Sequence, residues 1–206
     1  MDFDGKSSKL LEEAIIQFSS LPGIGKKTAL RFALHLLKKN ENEVETFATT
    51  ILKMKTETRF CKICNNISDN DICSICEDKT RNKELICVVE GIHDVMAIES
   101  TSQYNGTYHV LGGIISPMEG IGPADLSILP LIERTKSEKI SEIILALPTT
   151  MEGDTTNYYI SRKIINPDIE ITTLARGVAI GDELQYTDEI TLGQSILHRK
   201  PFTVKS

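Results

Sequence analysis

Four of the five cysteines in this 206-residue chain are Cys61, Cys64, Cys73 and Cys76, spaced C-x2-C-x8-C-x2-C. Each pair can turn back so that both sulphurs face one point. Two pairs then supply four thiolates, the set a tetrahedral Zn²⁺ takes. The spacer NNISDNDI is rich in Asn, Asp and Ser, which favour turns. Four protein ligands leave no open coordination position, so the expected ion is one structural Zn²⁺ per chain rather than a catalytic one. It would order a segment too small for a core, and such sites are worth roughly 10–16 kcal/mol in apparent binding free energy. Two redox-active pairs are the alternative, but neither has a thioredoxin-like context. The fifth cysteine, Cys87, lies in a strand pattern and reads as a buried hydrophobe.

A second group of residues able to do chemistry is LPGIGKKT, residues 21–28. A phosphate-binding P-loop needs G-x-x-x-x-G-K-[ST] after a strand. Here Ser20 stands where the first glycine belongs, Lys27 where Ser or Thr belongs, and a helical pattern precedes. A dinucleotide fingerprint fails too, for want of a third glycine and a strand. The order helix, L-P-G-I-G, cationic helix resembles the helix-hairpin-helix motif. Gly23 and Gly25 allow a turn whose N–H groups point outward beside a helix N-terminus, an anion site suited to a DNA phosphate. Lys26, Lys27 and Arg31 add positive charge, and Lys27 and Arg31 lie four apart on one helix side. Such contacts read the backbone, not the base sequence. The bland alternative is a helical turn with solvated lysines.

The third group is acidic. The run VVEG, Val88–Gly91, with Asp94 at a following helix start, resembles the first strand of a Toprim domain, a fold of topoisomerases, primases and some nucleases. In enzymatic members a Glu at this point acts as acid or base, and a later Asp-x-Asp holds Mg²⁺. The corresponding strand here reads EIILALPTT, with Leu147 and Thr149 at the two aspartate places. Metal-assisted phosphodiester chemistry needs several carboxylates at one spot. Glu90, Asp94, Glu152 and Asp154 remain, enough only for a weakly held Mg²⁺. No catalytic residue is expected, and no nuclease, topoisomerase or primase activity.

Three kinds of element must position these groups. Residues 7–20 repeat apolar side chains at helical spacing (Leu10, Leu11, Ala14, Ile15, Phe18), with Ser7 or Ser8 as cap. Residues 26–39 read as a second helix offering Leu30, Phe32, Ala33, Leu36 and Leu37 to a core, and a third runs from about Val44 to Glu57. Residues 60–80 have little periodicity. From Glu84, strands (ELICVVEG, TYHVLGG, EIILALP, IEITTLA) alternate with helices (HDVMAIEST, DLSILPLIERTKS, TTNYYISRKII), which implies parallel pairing in an α/β domain. The helix containing Pro130 is expected to break or bend there. The fold class is therefore α+β and multi-module. It comprises a helical helix-hairpin-helix region at 1–56, a four-cysteine zinc-finger module at 57–83, a Toprim domain with a parallel sheet at 84–179, and a tail at 180–206.

Formal net charge is −6. Residues 1–55 carry nine Lys/Arg against seven Asp/Glu, whereas residues 84–206 carry nine against seventeen, so nucleic acid would meet the N-terminal part. No apolar run approaches the ~18 residues of a membrane span. MDFDGKSSKL lacks the basic-then-apolar pattern of an export signal, so a cytoplasmic location is expected.

The order hairpin, four-cysteine module, Toprim-like domain and short tail resembles the RecR family of bacterial recombination mediators over essentially the whole chain. Matching runs are LPGIGKKTALRFALHLL, CKICNNISDNDICSIC, ICVVEG, YHVLGGIISPMEGIGP and LARGVAIGDELQYTDEITLG. The family usually reads Asn-Pro-Thr where this chain has Leu147-Pro148-Thr149. The resemblance implies a non-enzymatic DNA-repair role, nucleoid-associated, on gapped, single-stranded and double-stranded DNA without sequence preference. It implies action with RecO, and in many bacteria RecF, to load RecA, and assembly as a homodimer or ring-like homotetramer. By position it implies DNA contact at Lys27 and Arg31 and zinc at Cys61, Cys64, Cys73 and Cys76. It implies partner or metal contacts at Glu90 and Asp94, and a Walker B-like segment around Asp182-Glu183. A Mg²⁺-dependent Toprim nuclease and a zinc scaffold without a DNA role are the competing readings.

Overall fold

The structure, a computed structural model, describes residues 8–201. Ser7, the alternative helix cap, and the end of the tail from residue 202 lie outside that range. The chain divides into two compact units, Met1–Thr58 and Arg59–Ser206.

The first unit holds three helices: α1 (Lys9–Ser19), α2 (Lys26–Leu36) and α3 (Glu41–Glu57). Ser8 occupies the N-cap of α1, but its side chain makes no capping hydrogen bond. α3 begins ahead of the apolar pattern that marks it in the sequence. Asn40 and Glu43 form a reciprocal capping box there, Glu43 N–H donating to Asn40 Oδ1 at 2.9 Å and Asn40 N–H to Glu43 Oε2 at 3.3 Å. α1 packs on α2 with Phe18 and Phe32 edge to face, ring centroids 5.9 Å apart. Of the residues expected to form the α2 core, only Ala33 is buried, joined by Ala29. Phe32 and Leu37 are exposed, and Leu30 and Leu36 half-buried. The reason is geometric: one short helix against another covers only the line where they touch, and small alanines let them approach.

The second unit opens with a knuckle, the antiparallel pair β1 (Arg59–Phe60) and β2 (Ile67–Ser68) followed by the one-turn helix α4 (Ser74–Glu77). A parallel sheet follows, built from β3 (Asn82–Val89), β4 (Gly106–Val110), β5 (Glu142–Ala146) and β6 (Glu170–Thr173) in the order β4-β3-β5-β6. Helices α5 (Ile92–Ser100), α6 (Ile128–Ser137) and α7 (Met151–Lys163) connect the strands. Alternation along β3 sorts the core. Ile86 and Val88 pack with Ile143, Leu145 and residues of α6 and α7, while Cys87 and Val89 pack with Val95 of α5, Tyr108 and Val110. A parallel sheet covered on both faces needs such apolar runs, and ICVV supplies one. Cys87 is a buried core residue, its thiol pushed up to about 12 by burial.

Two expectations change in detail. Pro130 neither breaks nor bends a long helix, because α6 starts at Ile128 and proline sits in its first turn, where the missing N–H has no intrahelical partner anyway. The residues before it form a separate 3₁₀ turn, Pro123–Asp125. In the tail, a 3₁₀ turn at Leu184–Tyr186 precedes helix α8 (Glu189–Leu197), capped by Asp188, whose Oδ1 accepts from Thr191 N–H at 2.8 Å.

His109 on β4 is fully buried. Its Nε2–H donates to the Ser127 carbonyl at 2.6 Å, which leaves Nδ1 to accept from Arg134 Nη1 at 3.4 Å. Burial and the neighbouring guanidinium lower its pKa from 6.5 to about 4. The unfolded chain therefore takes up a proton near 6.5 that the folded chain refuses until about 4. His109 thus contributes stability above pH 6.5 that is lost as pH falls towards 4, about 3 kcal/mol in all. Urea unfolding at pH 7 and pH 4.5 tests this: His109→Gln should be less stable at pH 7 yet lose distinctly less stability between the two pH values than the parent.

Candidate metal centre and nucleic-acid interface

The hairpin between α1 and α2 is built from backbone turns. Ser19 and Ser20 hydroxyls donate to the Ile16 and Gln17 carbonyls, at 2.9 and 2.8 Å, closing α1. Ile24 N–H donates to the Leu21 carbonyl at 3.1 Å across the turn, and Gly23 takes φ +77°, a conformation open to glycine. Gly25 has an ordinary φ of −82° and is the N-cap of α2. Lacking a side chain, it offers no capping oxygen, so the N–H groups of Lys26 and Lys27 make no hydrogen bond among the described residues. A Cβ at Gly23 or Gly25 would meet nothing within 4 Å, so the turn beside these two glycines is open. Lys26, Lys27 and Arg31 are exposed and form no ion pair among the described residues, in contrast to Lys39, which pairs with Glu43 at 2.6 Å. All five residues singled out in the sequence thus sit on one turn and the first two turns of α2. The arrangement presents unpaired amides and cations to an anion, the requirement for holding phosphate oxygen.

In the knuckle, the four sulphurs of Cys61, Cys64, Cys73 and Cys76 lie within 4.8 Å of one another, and all four residues are buried. A tetrahedral site with Zn–S bonds of about 2.3 Å requires sulphurs about 3.8 Å apart. Cys61 and Cys64 flank a tight turn in which Asn65 N–H donates to the Cys61 carbonyl at 2.9 Å, with Asn65 at φ 59°. Cys73 caps α4 and Cys76 lies within it, and Cys73 N–H donates to Cys61 Sγ at 3.3 Å. The thiols cannot all ionise together unaided. Against burial, N–H groups of Cys73, Cys64 and Ile63 hold Cys61 down at about 7. Sharing a proton with Cys76, and burial, push Cys64 far up, and burial raises Cys73 to about 11. A divalent cation at the centre removes that conflict by pairing with all four thiolates, so the residues fit the ion.

At the acidic edge, the register Val89↔Ala146 sets Glu90 at the same sheet end as Leu147, Pro148 and Thr149. Leu147 is buried in the core. Asp94 is engaged in its own helix start, Oδ2 accepting from Gly91 N–H at 2.8 Å, with His93 Nε2 3.3 Å from Oδ1. Asp154 is ion-paired with Arg176, whose guanidinium lowers its pKa, a contact between residues 22 apart that no local pattern signals. Among the described residues the four cysteines are the one group of three or more metal-ligating side chains close enough to share an ion. The expected weakly held Mg²⁺ at Glu90 and Asp94 therefore finds no support. Asp182 and Glu183 are exposed in the tail, where Val178 N–H donates to Ser195 Oγ at 3.0 Å.

Comparison with known proteins agrees with this geometry segment by segment. Family models match residues 11–55 (RecR, helix-hairpin-helix), 58–78 (RecR, zinc finger domain of the four-cysteine type), 84–175 (Toprim domain) and 177–200 (RecR, C-terminal). Fold and site thus define a Toprim-domain protein that also carries a four-cysteine knuckle and a helix-hairpin-helix. Proteins named Recombination protein RecR are similar along nearly the whole chain. That of Phocaeicola vulgatus is 56% identical over 95% of this chain and 96% of its own, and that of Bacteroides fragilis 57% identical over the same shares. The one from Flavobacterium johnsoniae is 57% identical over 95% of each. The chain belongs to the RecR family.

The two hairpin glycines have separable roles. Gly23→Ala should destabilise the first unit by about 1 kcal/mol through its left-handed backbone. Gly25→Ser should leave stability unchanged or raise it by no more than roughly a few tenths of a kcal/mol, because serine caps the helix only slightly better than glycine. Its hydroxyl would nevertheless occupy the free Lys27 amide, so if the turn holds phosphate, oligonucleotide binding should weaken. Thermal unfolding and fluorescence anisotropy with a labelled oligonucleotide check both.

Proposed function

We propose that this protein is a non-enzymatic recombination mediator that grips DNA by its sugar-phosphate backbone through Gly23, Gly25, Lys26, Lys27 and Arg31. The observation that carries the reading is the coincidence of open amides and unpaired cations on one hairpin. Contacts from backbone amides and cations go to phosphate rather than to base edges, so the grip is independent of sequence and suits single-stranded, gapped and double-stranded DNA alike. One structural Zn²⁺ held by Cys61, Cys64, Cys73 and Cys76 shapes the knuckle. Glu90 and Asp94, on an acidic domain, serve partner contact rather than bond cleavage. By family likeness the partners are RecO and, in many bacteria, RecF, and the outcome is the loading of RecA.

A single hairpin neutralises few phosphates, so several copies on one ring, as homodimer or homotetramer, raise affinity through effective concentration. Sedimentation mass of the free and DNA-bound protein measures the number of copies.

Three neutralised phosphates on duplex DNA give a slope of log affinity against log salt near −2.7, and on single strands near −2.1. Lys27→Ala and Arg31→Ala should each weaken binding and make the slope shallower by about 0.9 on duplex DNA for each hairpin engaged. Anisotropy titrations between 50 and 200 mM salt decide the matter (the range over which such contacts are lost, roughly). Parent-like affinity and slope in both variants would exclude the hairpin as the contact.

A further inference from the structure

Strand β4 is an edge strand, yet every one of its residues, Gly106 to Val110, is buried. The other edge strand, β6, is exposed at both ends and only half-buried between. An uncovered edge presents unpaired N–H and C=O groups, so something must close the outer side of β4. Two elements do. Arg134 Nη1 donates to the Tyr108 carbonyl at 2.9 Å. At Val110 the knuckle takes both backbone groups: Val110 N–H donates to the Cys64 carbonyl at 2.8 Å, and Asn65 Nδ2 donates to the Val110 carbonyl at 3.0 Å.

These two contacts come from adjacent residues on the tight turn of the metal site. Cys64 contributes its sulphur to the cluster and its carbonyl to β4. Asn65 stands in the left-handed region, which asparagine tolerates better than most residues, and that twist accompanies a side chain aimed at the strand rather than at solvent. Ile75 of α4 packs against both the cysteine cluster and the core cluster that contains Val89, Val95 and Val110. Beyond Val110 the chain runs straight to the acidic edge: Leu111 N–H donates to the Val89 carbonyl and Gly112 N–H to the Glu90 carbonyl, both at 3.0 Å.

We propose that the cysteine knuckle is a metal-held latch on the outer edge of β4, that Asn65 is its positioning residue, and that metal occupancy is thereby transmitted to the backbone beside Glu90. The inference rests on the reading of the four cysteines as a zinc site. With the ion bound, the Cys64 carbonyl is fixed and Val110 is closed on its outer side. Without it the turn loses its anchor, and Val110 and then Gly112 open to solvent.

Hydrogen–deuterium exchange on the full chain tests this with no reference to DNA. Asn65→Gly keeps the left-handed turn and deletes the Nδ2 donor; Asn65→Asp keeps the shape and sets an acceptor against the Val110 carbonyl. Both should retain one zinc per chain, measured with a chromophoric chelator. In both, exchange at the Val110 and Gly112 amides should rise about fivefold or more, as for loss of one hydrogen bond. Exchange at Ile144 and Leu145 of the central β5 should not change. Stripping zinc from the parent should raise Val110 and Gly112 at least as far. Unchanged exchange at Val110 in the stripped parent, or in either variant with zinc retained, would overturn the latch. A purified parent chain that neither contains nor takes up zinc would instead sink the metal reading on which the latch rests.

Discussion

Four sulphurs confined within 4.8 Å and closed off from water make a demand that the protein part cannot meet by itself. As thiols they crowd and share protons; as thiolates they repel. One cation converts the crowding into four bonds, and with them fixes a segment in which Ile63, Ile72 and Ile75 pack against the cysteines while Phe60 and Ile67 stay exposed. Much of the second unit leans on that solution. The knuckle closes the end of β4 at Val110, β4 pairs with β3, and β3 ends at Val89, one residue before Glu90. A local problem of charge thus organises an edge of the sheet and the approach to its acidic end.

The hairpin solves the opposite problem. It keeps amide donors and ammonium groups unsatisfied rather than satisfied. That is tolerable because they face open solvent, where an unpaired cation costs little. Arg59 and Lys62 share Asp71, Arg81 pairs with Glu99, and Arg176 with Asp154. Lys26, Lys27 and Arg31, like several other exposed cations such as Lys38, Lys53 and Lys55, have no carboxylate partner among the described residues; what sets the three apart is their place beside the open start of α2. Residues 84–206 carry seventeen acidic against nine basic side chains, a surface charge unfavourable to a polyanion.

Legibility in the sequence follows the range of each interaction. The cysteine spacing and the hairpin were readable because ligand turns and glycine turns are decided within a few residues. The alternation of strands and helices was readable because a sheet buried on both faces needs continuous apolar runs such as ICVV. What the pattern misjudged depended on neighbours. Phe32 and Leu37 have core-like chemistry but no element that covers them, and Pro130 marks the beginning of a helix rather than a break in one. What it did not contain at all were pairings across the fold: Asn65 reaches a carbonyl 45 residues away, and Arg134 seals His109 and Tyr108 from 25 and 26.

The two borders of the sheet have been finished in different ways. One is closed by a bolted fitting; the other, β6, is merely kept to four residues, with Glu170 at its start and threonines at its end. For protein engineering this is an asymmetry of access. A graft beside β4 must first evict the knuckle, whereas β6 has no such fitting among the described hydrogen bonds.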